Sequence, residues 1–447
     1  MFYRWTATSS GDAFEFQTHS PAHYNLLTEG FLRGHLYLAQ DPAPELLALP
    51  DPRDPEANAR WRLHDASLYH GHYYLYFGPV PVLALYVPLR LLGGSPSPNL
   101  AAFIFAAFGY TFSCVLLWRL LVAVGAARRL MLTAVAFVGL GLGQFTPILL
   151  RRTAVYEIAI TAAFCFFMAG LACLATAALA NPRRPALWTV AAGLCFGLTM
   201  GCRPHLVLAV VAIVICYAIL LRRNARFSIA ELSRLGVPIA ICGAALAWYN
   251  FARFGSIFEF GQVYQLTSTR YTVGNHLALR NLLPNLTTLL FYPPVKLPDF
   301  PYFSLRPAFD NEPTAGAFVV MPLLLFGFAA AFLMLRSHAR IAWFGIALAL
   351  AAAAPLLFVA LTPNSNARYQ LDYTPVLWVL ALAGLCWVAI RDRRRWLRRA
   401  TPVLIVGGCL WSAALVACLS IQGYAHGLIQ SNPELFQRIR MWFEGGS

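Results

Sequence analysis

Long apolar runs alternate with short polar segments over most of the chain. A helix needs about 20 mostly apolar residues to cross a bilayer, and most of the runs are long enough. They lie at 80–93, 100–123, 130–150, 153–181, 186–201, 204–221, 234–252, 315–335, 341–362, 375–390 and 401–421. The pattern predicts an all-α integral membrane protein with about ten transmembrane helices. The run 80–93 is short and contains prolines, so it is the first candidate for a run that does not cross.

Two polar segments interrupt this pattern. Residues 1–78 are rich in Asp, His, Pro and Tyr, and they predict a large extracytoplasmic loop with short helices, one of them near 21–34. Since no apolar run precedes this loop, we expect that a first transmembrane helix is missing from the start. The predicted organisation is loop 1–78, N-terminal transmembrane bundle 79–252, second extracytoplasmic loop 253–314, C-terminal transmembrane helices 315–421 and extracytoplasmic tail 422–447.

Composition excludes most soluble classes of protein. Of the 447 residues, 59% are hydrophobic and 12% are charged, and the mean hydropathy is +0.60. These values exclude an ordinary cytosolic enzyme, a disordered protein and a disulfide-rich secreted module. All ten cysteines lie within or at the ends of apolar runs, where Cys acts as a small hydrophobic residue. We therefore expect neither disulfides nor a cysteine metal site.

The positive charge is distributed as in a membrane protein. Lys and Arg number 34 against 19 Asp and Glu, and the arginines cluster in short stretches between apolar runs. This distribution follows the positive-inside rule and argues against a nucleic-acid partner. The strongest cluster, 391–399, is expected inside, which puts 253–314, 363–374 and the region of Arg203 at the outer face. Residues 1–78 then lie outside only if one of the early runs does not cross.

The stretch 63–79 combines a carboxylate, three histidines and several tyrosines directly before an apolar run. A carboxylate at a membrane face can act as a general base that takes a proton from an incoming hydroxyl, which makes Asp65 a candidate. His64 and Tyr74 would line the pocket around it. The alternative is an aromatic belt with solvated polar residues. The three histidines fit no recurrent zinc spacing, so neither a metal ion nor a cofactor is expected.

Four further segments, each predicted near the outer face, carry arginine at the ends of apolar runs. Convergent guanidinium groups are suited to hold a phosphate, because their planar fork matches its oxygens. The candidate binding residues in these segments are Arg152, Glu157, Arg203, Arg253, Arg368 and Tyr369. Each segment has a structural alternative, such as interfacial anchoring, snorkelling of a turn residue or an exposed ion pair. Arg368 and Asp372 are four residues apart and would share one face of an α-helix.

Five segments, in this order along the chain, resemble a known family of membrane enzymes. They are HYNLLTEGFLRGHLYL (23–38), HDASLYHGHYYLYFGPVP (64–81), GLTMGCRP (197–204), YNFARFGSIFEFG (249–261) and ARYQLDYTP (367–375). On these segments the chain resembles the GT-C superfamily of polytopic glycosyltransferases, in particular the bacterial branch similar to protein O-mannosyltransferases and aminoarabinose transferases. The resemblance implies a GT-C-like helix bundle in the inner (plasma) membrane, with a large extracytoplasmic first loop.

The resemblance also implies an activity. Such enzymes take a sugar from a polyprenyl-phosphate carrier at the extracytoplasmic face and transfer it to an acceptor hydroxyl of a lipid, glycan or protein, usually with inversion. An acidic residue of the first external loop deprotonates the acceptor, and cationic residues hold the leaving phosphate. In much of the family an Asp lies four residues before the helix tyrosine that Tyr24 resembles, but here that position is Ser20. The base is therefore expected at Asp65, with Asp12 as the second candidate.

Two other functions stay open as alternatives. A secondary transporter or lipid flippase often has inverted repeats and paired broken helices near the midplane, and the sequence shows neither pattern. A non-catalytic membrane scaffold would tolerate the loss of Asp65, Arg203 and Arg368 together. The prediction of a glycosyltransferase rests on the resemblance and not on composition.

Overall fold

The computed structural model of the protein describes residues 1–9, 11, 14–18, 22–180, 182–223, 228–268, 277–308, 313–334, 339–363, 366–423 and 427–445. Most of the regular structure in these residues is helical. The strands within them form three separate two-stranded antiparallel sheets.

The first polar segment holds short helices and one hairpin: α1 (Phe2–Thr8), α2 (His23–Leu32), α3 (Pro44–Leu47), β1 (Ser67–Tyr69) and β2 (His72–Tyr74). In the hairpin, Ser67 pairs with Tyr74 and Tyr69 with His72. The two residues between the strands, His70 and Gly71, have φ values of 48° and 79°. Two successive left-handed residues make the tight turn whose twist matches that of the flanking strands.

The run 80–93 forms a short helical segment, with a π-helical turn at Val82–Tyr86 followed by α4 (Val87–Leu91). These ten residues cover about 15 Å, or about half of a bilayer core, because a helix rises 1.5 Å per residue. The helices of the N-terminal bundle follow: α5 (Pro98–Val124), α6 (Leu130–Leu142), α7 (Thr146–Leu149), α8 (Val155–Leu179), α9 (Pro185–Met200), α10 (Val207–Arg223) and α11 (Ile229–Phe254).

The second polar segment contains an amphipathic helix and short strands: α12 (Leu279–Phe291), β3 (Val295–Lys296), β4 (Phe303–Ser304), β5 (Arg306–Pro307) and β6 (Pro313–Thr314). The predicted run 315–335 is not one helix. It divides into α13 (Ala317–Val320), a 3₁₀ turn at Pro322–Leu324 and α14 (Leu325–Met334). The reason is Pro322, which has no backbone N–H to donate and restricts the preceding residue.

The remaining helices are α15 (Ala339–Leu361), α16 (Thr374–Arg391), α17 (Arg395–Gln422), α18 (Leu428–Ser431) and α19 (Pro433–Glu444). Eight helical segments in the described ranges are long and apolar enough to cross a membrane: Pro98–Val124, Leu130–Leu149, Val155–Leu179, Pro204–Arg223, Ile229–Phe254, Ile341–Leu361, Thr374–Arg391 and Arg395–Gln422. Two further apolar helices, Val82–Leu91 and Pro185–Met200, are shorter. The largely buried α8 lies at the centre and packs against α5 and α9.

The two polar segments are joined to each other at one end of this bundle. The Leu266 N–H donates to the carbonyl of Ala66 over 2.8 Å, and the Asp65 N–H donates to the carbonyl of Leu266 over 2.9 Å. The hydroxyl of Ser67 donates to the carbonyl of Gly261 over 2.7 Å. Residues of the two polar segments, far apart in the sequence, therefore lie together at this end of the helix bundle.

The first polar segment is seated on the bundle where Gly78 meets Gly201. A Cβ atom placed on Gly78 would lie 2.0 Å from the carbonyl oxygen of Gly201, which is far inside van der Waals contact. The Val80 N–H also donates to this carbonyl over 3.3 Å. Only glycine fits at position 78, and the contact brings the loop that carries Asp65 to the end of α9.

We predict that Gly78→Ala lowers the free energy of unfolding by about 1–3 kcal/mol, because the added methyl group forces two backbone segments apart. The measurement is the apparent Tm of the purified protein in detergent. Gly236→Ala in α11 is the matched control, since no atom lies within 4 Å of its added Cβ. Alanine is the better helix former, so the control keeps or raises Tm. Equal Tm values for the two variants would contradict the close contact.

Candidate functional site

Asp65 lies just before β1 in the left-handed region of backbone conformation, with a φ of 65°. Asp and Asn occupy this region more readily than other non-glycine residues, because their short polar side chains can bond locally. The backbone bond to Leu266 fixes the chain at this point. The direction of the Asp65 side chain therefore depends on the pairing of the two polar segments.

The carboxylate of Asp65 is buried, and two donors converge on one of its oxygens. The Tyr156 hydroxyl donates to Oδ1 over 2.9 Å, and the Gln265 amide donates to the same oxygen over 3.0 Å. The Gln265 amide also lies 3.2 Å from the Tyr156 hydroxyl oxygen. The first polar segment, the start of α8 and the second polar segment each supply one member of this group.

The other oxygen of Asp65, Oδ2, faces a histidine. His64 Nε2 lies 3.8 Å from Oδ2, which is longer than a hydrogen bond. The carbonyl oxygen of His64 lies 2.8 Å from Nε2 of His23. Burial lowers the pKa of His23, and a neutral ring with its proton on Nε2 donates this bond. Among the described residues, Oδ2 has no hydrogen-bond donor, which leaves it able to accept a proton from a substrate.

Aromatic side chains enclose this carboxylate. The ring centroids of Tyr76 and Phe77 lie 6.2 Å and 5.2 Å from that of Tyr156. Burial raises the pKa of the Tyr76 hydroxyl well above its usual range, and the neighbouring Tyr156 and Asp65 raise it further. Tyr76 therefore stays neutral beside Asp65 and adds no charge to the site.

Arg368 contacts the face of the same Tyr156 ring whose hydroxyl donates to Asp65. Its guanidinium carbon is 4.1 Å from the centroid of the Tyr156 ring, and its Nη1 is 3.9 Å from Oε1 of Glu157. Glu157 is fully buried, and its other oxygen accepts the N–H of Ala154 at the start of α8. The start of α8 therefore supplies both an aromatic face and a carboxylate to one arginine.

Arg203 forms a second buried ion pair, with a partner in the 3₁₀ helix Ala367–Asp372. Its Nη2 donates to Oδ2 of Asp372 over 2.6 Å, and His205 Nε2 lies 3.1 Å from the same oxygen. Burial opposes ionisation of Asp372, but Arg203 and His205 outweigh it and hold the pKa of that carboxyl below its usual range. Asp372 is therefore charged at neutral pH.

The ring of Tyr369 lies between the two arginines. The guanidinium carbons of Arg203 and Arg368 lie 5.4 Å and 5.6 Å from its centroid. Arg368 and Asp372 were expected to share one face of an α-helix, but Asp372 bonds to Arg203. A 3₁₀ helix has three residues per turn, so positions four apart do not share a face as they do in an α-helix.

Arg253 and Tyr74 lie in a neighbouring group under the hairpin. The Arg253 guanidinium donates to the carbonyl of Leu75 over 2.6 Å and to Oδ1 of Asn250 over 2.8 Å. It also covers the ring of Tyr249 at 3.8 Å. The Tyr74 ring packs 5.3 Å from that of Phe254. These contacts fix the hairpin to the end of α11, and a phosphate-binding role for Arg253 stays a prediction.

Two of the predicted residues remain, Arg152 and Asp12. Arg152 is half-buried in the turn before α8. Its neighbour Arg151 is buried and donates to the hydroxyls of Ser9 and Ser431, so it ties the two ends of the chain together. Asp12 and the position of Ser20 fall outside the described residues. In the ranges that the structure covers, no group of three or more His, Cys, Asp or Glu side chains could hold a metal ion.

An apolar cavity of about 420 Å³ lies beside Gly201, at the end of α9. α2, the segment after Gly78, α9 and α11 enclose it, and its lining includes Phe31, Val80, Leu198, Gly201, Ala245 and Tyr249. Two of its lining residues, Leu83 and Trp248, are more than half exposed on the outer surface. Gly201 is two residues from Arg203, or about 7 Å along an extended chain. The cavity is therefore bounded on one side by exposed residues of the protein surface and on another by Gly201, two residues before Arg203.

The sequence analysis did not name Tyr156 or Gln265 as site residues. It also did not predict that Asp372 pairs with Arg203. Tyr156 lies beside the predicted Glu157, and its position at the polar end of an apolar run is the only signal the sequence offers. Gln265 lies 200 residues from Asp65 in a segment without a motif. Its role depends on backbone pairing between distant loops.

Comparison with known proteins finds a similar fold. No sequence-family model matches the chain, and no curated protein matches it. The structure is similar to that of ArnT from Cupriavidus metallidurans bound to undecaprenyl phosphate, with a TM-score of 0.50 and 12% identity over 98% of this chain and 76% of that chain. At this identity the likeness shows the fold. It confirms the predicted all-α, multi-pass membrane fold, which is similar to that of ArnT.

We predict that Arg203→Ala and Asp372→Ala each lower the free energy of unfolding by about 3–5 kcal/mol, because each leaves a buried charge without its partner. The double variant loses less than both losses combined, since no unpaired charge is left. The measurement is a double-mutant cycle on unfolding in detergent. Arg440→Ala, in the exposed Arg440–Glu444 pair of α19, is the control and leaves the midpoint unchanged. Additive losses at 203 and 372 would show that the pair is not coupled.

Proposed function

We propose that the protein is a membrane glycosyltransferase that moves a sugar from a polyprenyl-phosphate carrier to an acceptor hydroxyl at the extracytoplasmic face. The observation that carries the proposal is one continuous set of contacts. It runs from the Asp65 carboxylate through Tyr156 to Arg368, and from there through Tyr369 to Arg203. A base and two cations in one buried group are what transfer from a phosphate leaving group requires.

Asp65 acts as the general base in this proposal. Two donors hold Oδ1, and Oδ2 accepts the proton of the acceptor hydroxyl. The acceptor oxygen then forms a bond to the anomeric carbon as the bond from that carbon to the phosphate oxygen breaks. The electron pair of the broken bond leaves on the polyprenyl phosphate. Attack from the side opposite the leaving group inverts the anomeric carbon. His64, 3.8 Å from Oδ2, lies where the acceptor would approach.

Arg368 and Arg203 hold the carrier phosphate. Each already faces a carboxylate, which compensates the charge of the buried cation in the absence of substrate. A guanidinium has five N–H donors, more than one carboxylate oxygen takes up, so a phosphate can bind beside it. Glu157 and Tyr369 orient these arginines. Tyr74, Arg152 and Arg253 are assigned to the surrounding walls of the binding site, and Asp12 is the second candidate for the base.

The apolar cavity beside Gly201 takes the first isoprene units of the carrier. Its walls are mainly apolar, and its size is in the range of small-ligand sites. One side is bounded by exposed apolar residues, Leu83 and Trp248, so the rest of the chain can continue into the bilayer. A carrier in this position has its apolar tail in the cavity and its phosphate near Arg203.

We predict that Asp65→Asn lowers sugar transfer by about 100-fold or more, because the amide cannot accept the proton of the acceptor. Asn keeps the side-chain shape and tolerates the left-handed backbone at this position, so the loop stays folded. The assay is transfer in proteoliposomes with a panel of polyprenyl-phosphate sugars. Glu56→Gln, at an exposed carboxylate of the same loop, is the control and retains wild-type transfer. Loss in Asp12→Asn instead would move the base, and full transfer by both variants would contradict the mechanism.

We predict that Ala245→Trp lowers the affinity for undecaprenyl phosphate by about 10-fold or more, since the indole fills the cavity and displaces several methylene groups, each worth about 0.8 kcal/mol when buried. Binding is measured directly on protein in nanodiscs. Ala240→Trp adds the same group to an exposed position of α11 that does not line the cavity. Equal affinity of the two variants would show that the carrier chain lies elsewhere.

A further inference from the structure

Tyr156 contacts the proposed base and a proposed phosphate-binding arginine with different parts of one side chain. Its hydroxyl donates to Oδ1 of Asp65 over 2.9 Å, in the plane of the ring. The guanidinium carbon of Arg368 lies 4.1 Å from the centroid, over the ring face. The edge and the face of one rigid ring therefore contact groups of opposite charge.

These two contacts decide how a carboxylate and a guanidinium can be buried close to each other without forming an ion pair. In a direct ion pair, the Asp65 carboxylate would be bound to a cation and less able to accept a proton. The Arg368 guanidinium would then be less available to bind a phosphate. Attraction between opposite charges is strong where water is excluded, so such a pair forms unless something keeps the groups apart. Tyr156 offers each group a favourable contact of its own, the carboxylate at its hydroxyl and the guanidinium at its ring face.

The surroundings hold Tyr156 in this position. It is the second residue of α8, and its ring packs against Phe77 with a centroid distance of 5.2 Å. The Gln265 amide lies 3.2 Å from its hydroxyl oxygen. Glu157, the next residue along the helix, faces Arg368 from a second direction. The ring is therefore fixed by the helix end and by both polar segments.

We propose that Tyr156 is the positioning residue of the site, which orients Asp65 through its hydroxyl and Arg368 through its ring and keeps the two groups from pairing. This inference rests on the proposed function, in which Asp65 is the base and Arg368 binds phosphate. It assigns two separable tasks to two parts of one side chain, and each part can be removed on its own.

Tyr156→Phe removes the hydroxyl and keeps the ring, whereas Tyr156→Leu removes both. We expect Tyr156→Phe to lower transfer in proteoliposomes by about 10-fold or more, because a hydrogen bond to a charged group is lost. Its affinity for undecaprenyl phosphate in nanodiscs stays within about 2-fold of wild type, because the cation–π contact of Arg368 is kept. Tyr156→Leu also lowers that affinity, by about 3- to 30-fold.

Tyr292 supplies the matched control, because it has the same two kinds of contact outside the site. Its hydroxyl donates to the carbonyl of Pro307 over 3.3 Å, and the Arg306 guanidinium carbon lies 5.1 Å from its ring centroid. Tyr292→Phe and Tyr292→Leu therefore remove comparable contacts, and both retain wild-type transfer and affinity. We therefore expect a loss of transfer with retained affinity for undecaprenyl phosphate at position 156 and not at position 292.

Three results would overturn the positioning role: wild-type transfer by Tyr156→Phe, an equal loss of transfer and affinity in that variant, or wild-type affinity in Tyr156→Leu. If Tyr156→Leu fails to fold, Tyr156→Phe decides the role of Tyr156, because the proposal expects this variant to lose transfer and to keep its affinity for undecaprenyl phosphate. A double-mutant cycle of Tyr156→Phe with Asp65→Asn on Tm needs no activity and is expected to be non-additive. Absence of transfer by the wild type would contradict the proposed function. The double-mutant cycle on Tm and the affinity for undecaprenyl phosphate would still decide the role of Tyr156.

Discussion

The compensation of buried charge at one end of the helix bundle is the constraint on which the whole candidate site depends. The side chains of Arg203, Arg368, Glu157 and Asp372 are 7% exposed or less. Taking an isolated ion of this kind out of water costs several kcal/mol, so each needs a partner from another part of the chain. The turn before α10, the start of α8 and the 3₁₀ helix Ala367–Asp372 are held together for this reason. The same pairing gathers the groups that the proposed reaction uses.

Aromatic rings are what allow so many charges to share one site. The face of an aromatic ring carries partial negative charge and its edge partial positive charge. Tyr369 lies between two guanidinium groups, where its ring reduces the repulsion between like charges. Tyr156 contacts unlike charges, a carboxylate at its hydroxyl and a guanidinium at its ring face. Each of the two tyrosine rings therefore contacts more than one of the ions.

Candidate residues could be named from the sequence where a local signal exists, and contacts that depend on distant pairing could not. Arg203 was named because a charge at the end of an apolar run is costly unless it has a partner, Arg368 because arginines of several outer segments could converge on a phosphate, and Asp65 because it lies in the segment that best matches the family resemblance. Gln265 could not, because only the backbone bond between Leu266 and Ala66 brings it to Asp65. The run 315–335 was predicted as one helix because its hydropathy is continuous, whereas Pro322 interrupts its hydrogen bonding. The all-α membrane class followed from the lengths of the apolar runs together with the composition. The spacing of Arg368 and Asp372 predicted a shared face that does not form, because the local helix is 3₁₀.

The two ion pairs differ in a way that divides their proposed roles. Arg203 and Asp372 are joined by a charged hydrogen bond of 2.6 Å, and His205 supports the same oxygen. Arg368 and Glu157 approach only to 3.9 Å, so their attraction is weaker and less directional. An arriving phosphate competes with Glu157 at smaller cost than with Asp372. Under the proposed function, this difference predicts that Arg368 turns toward the carrier phosphate, whereas Arg203 keeps its partner and supplies a fixed positive charge. Because Arg368 rests on Tyr156, any such turn starts from the residue that also holds the base.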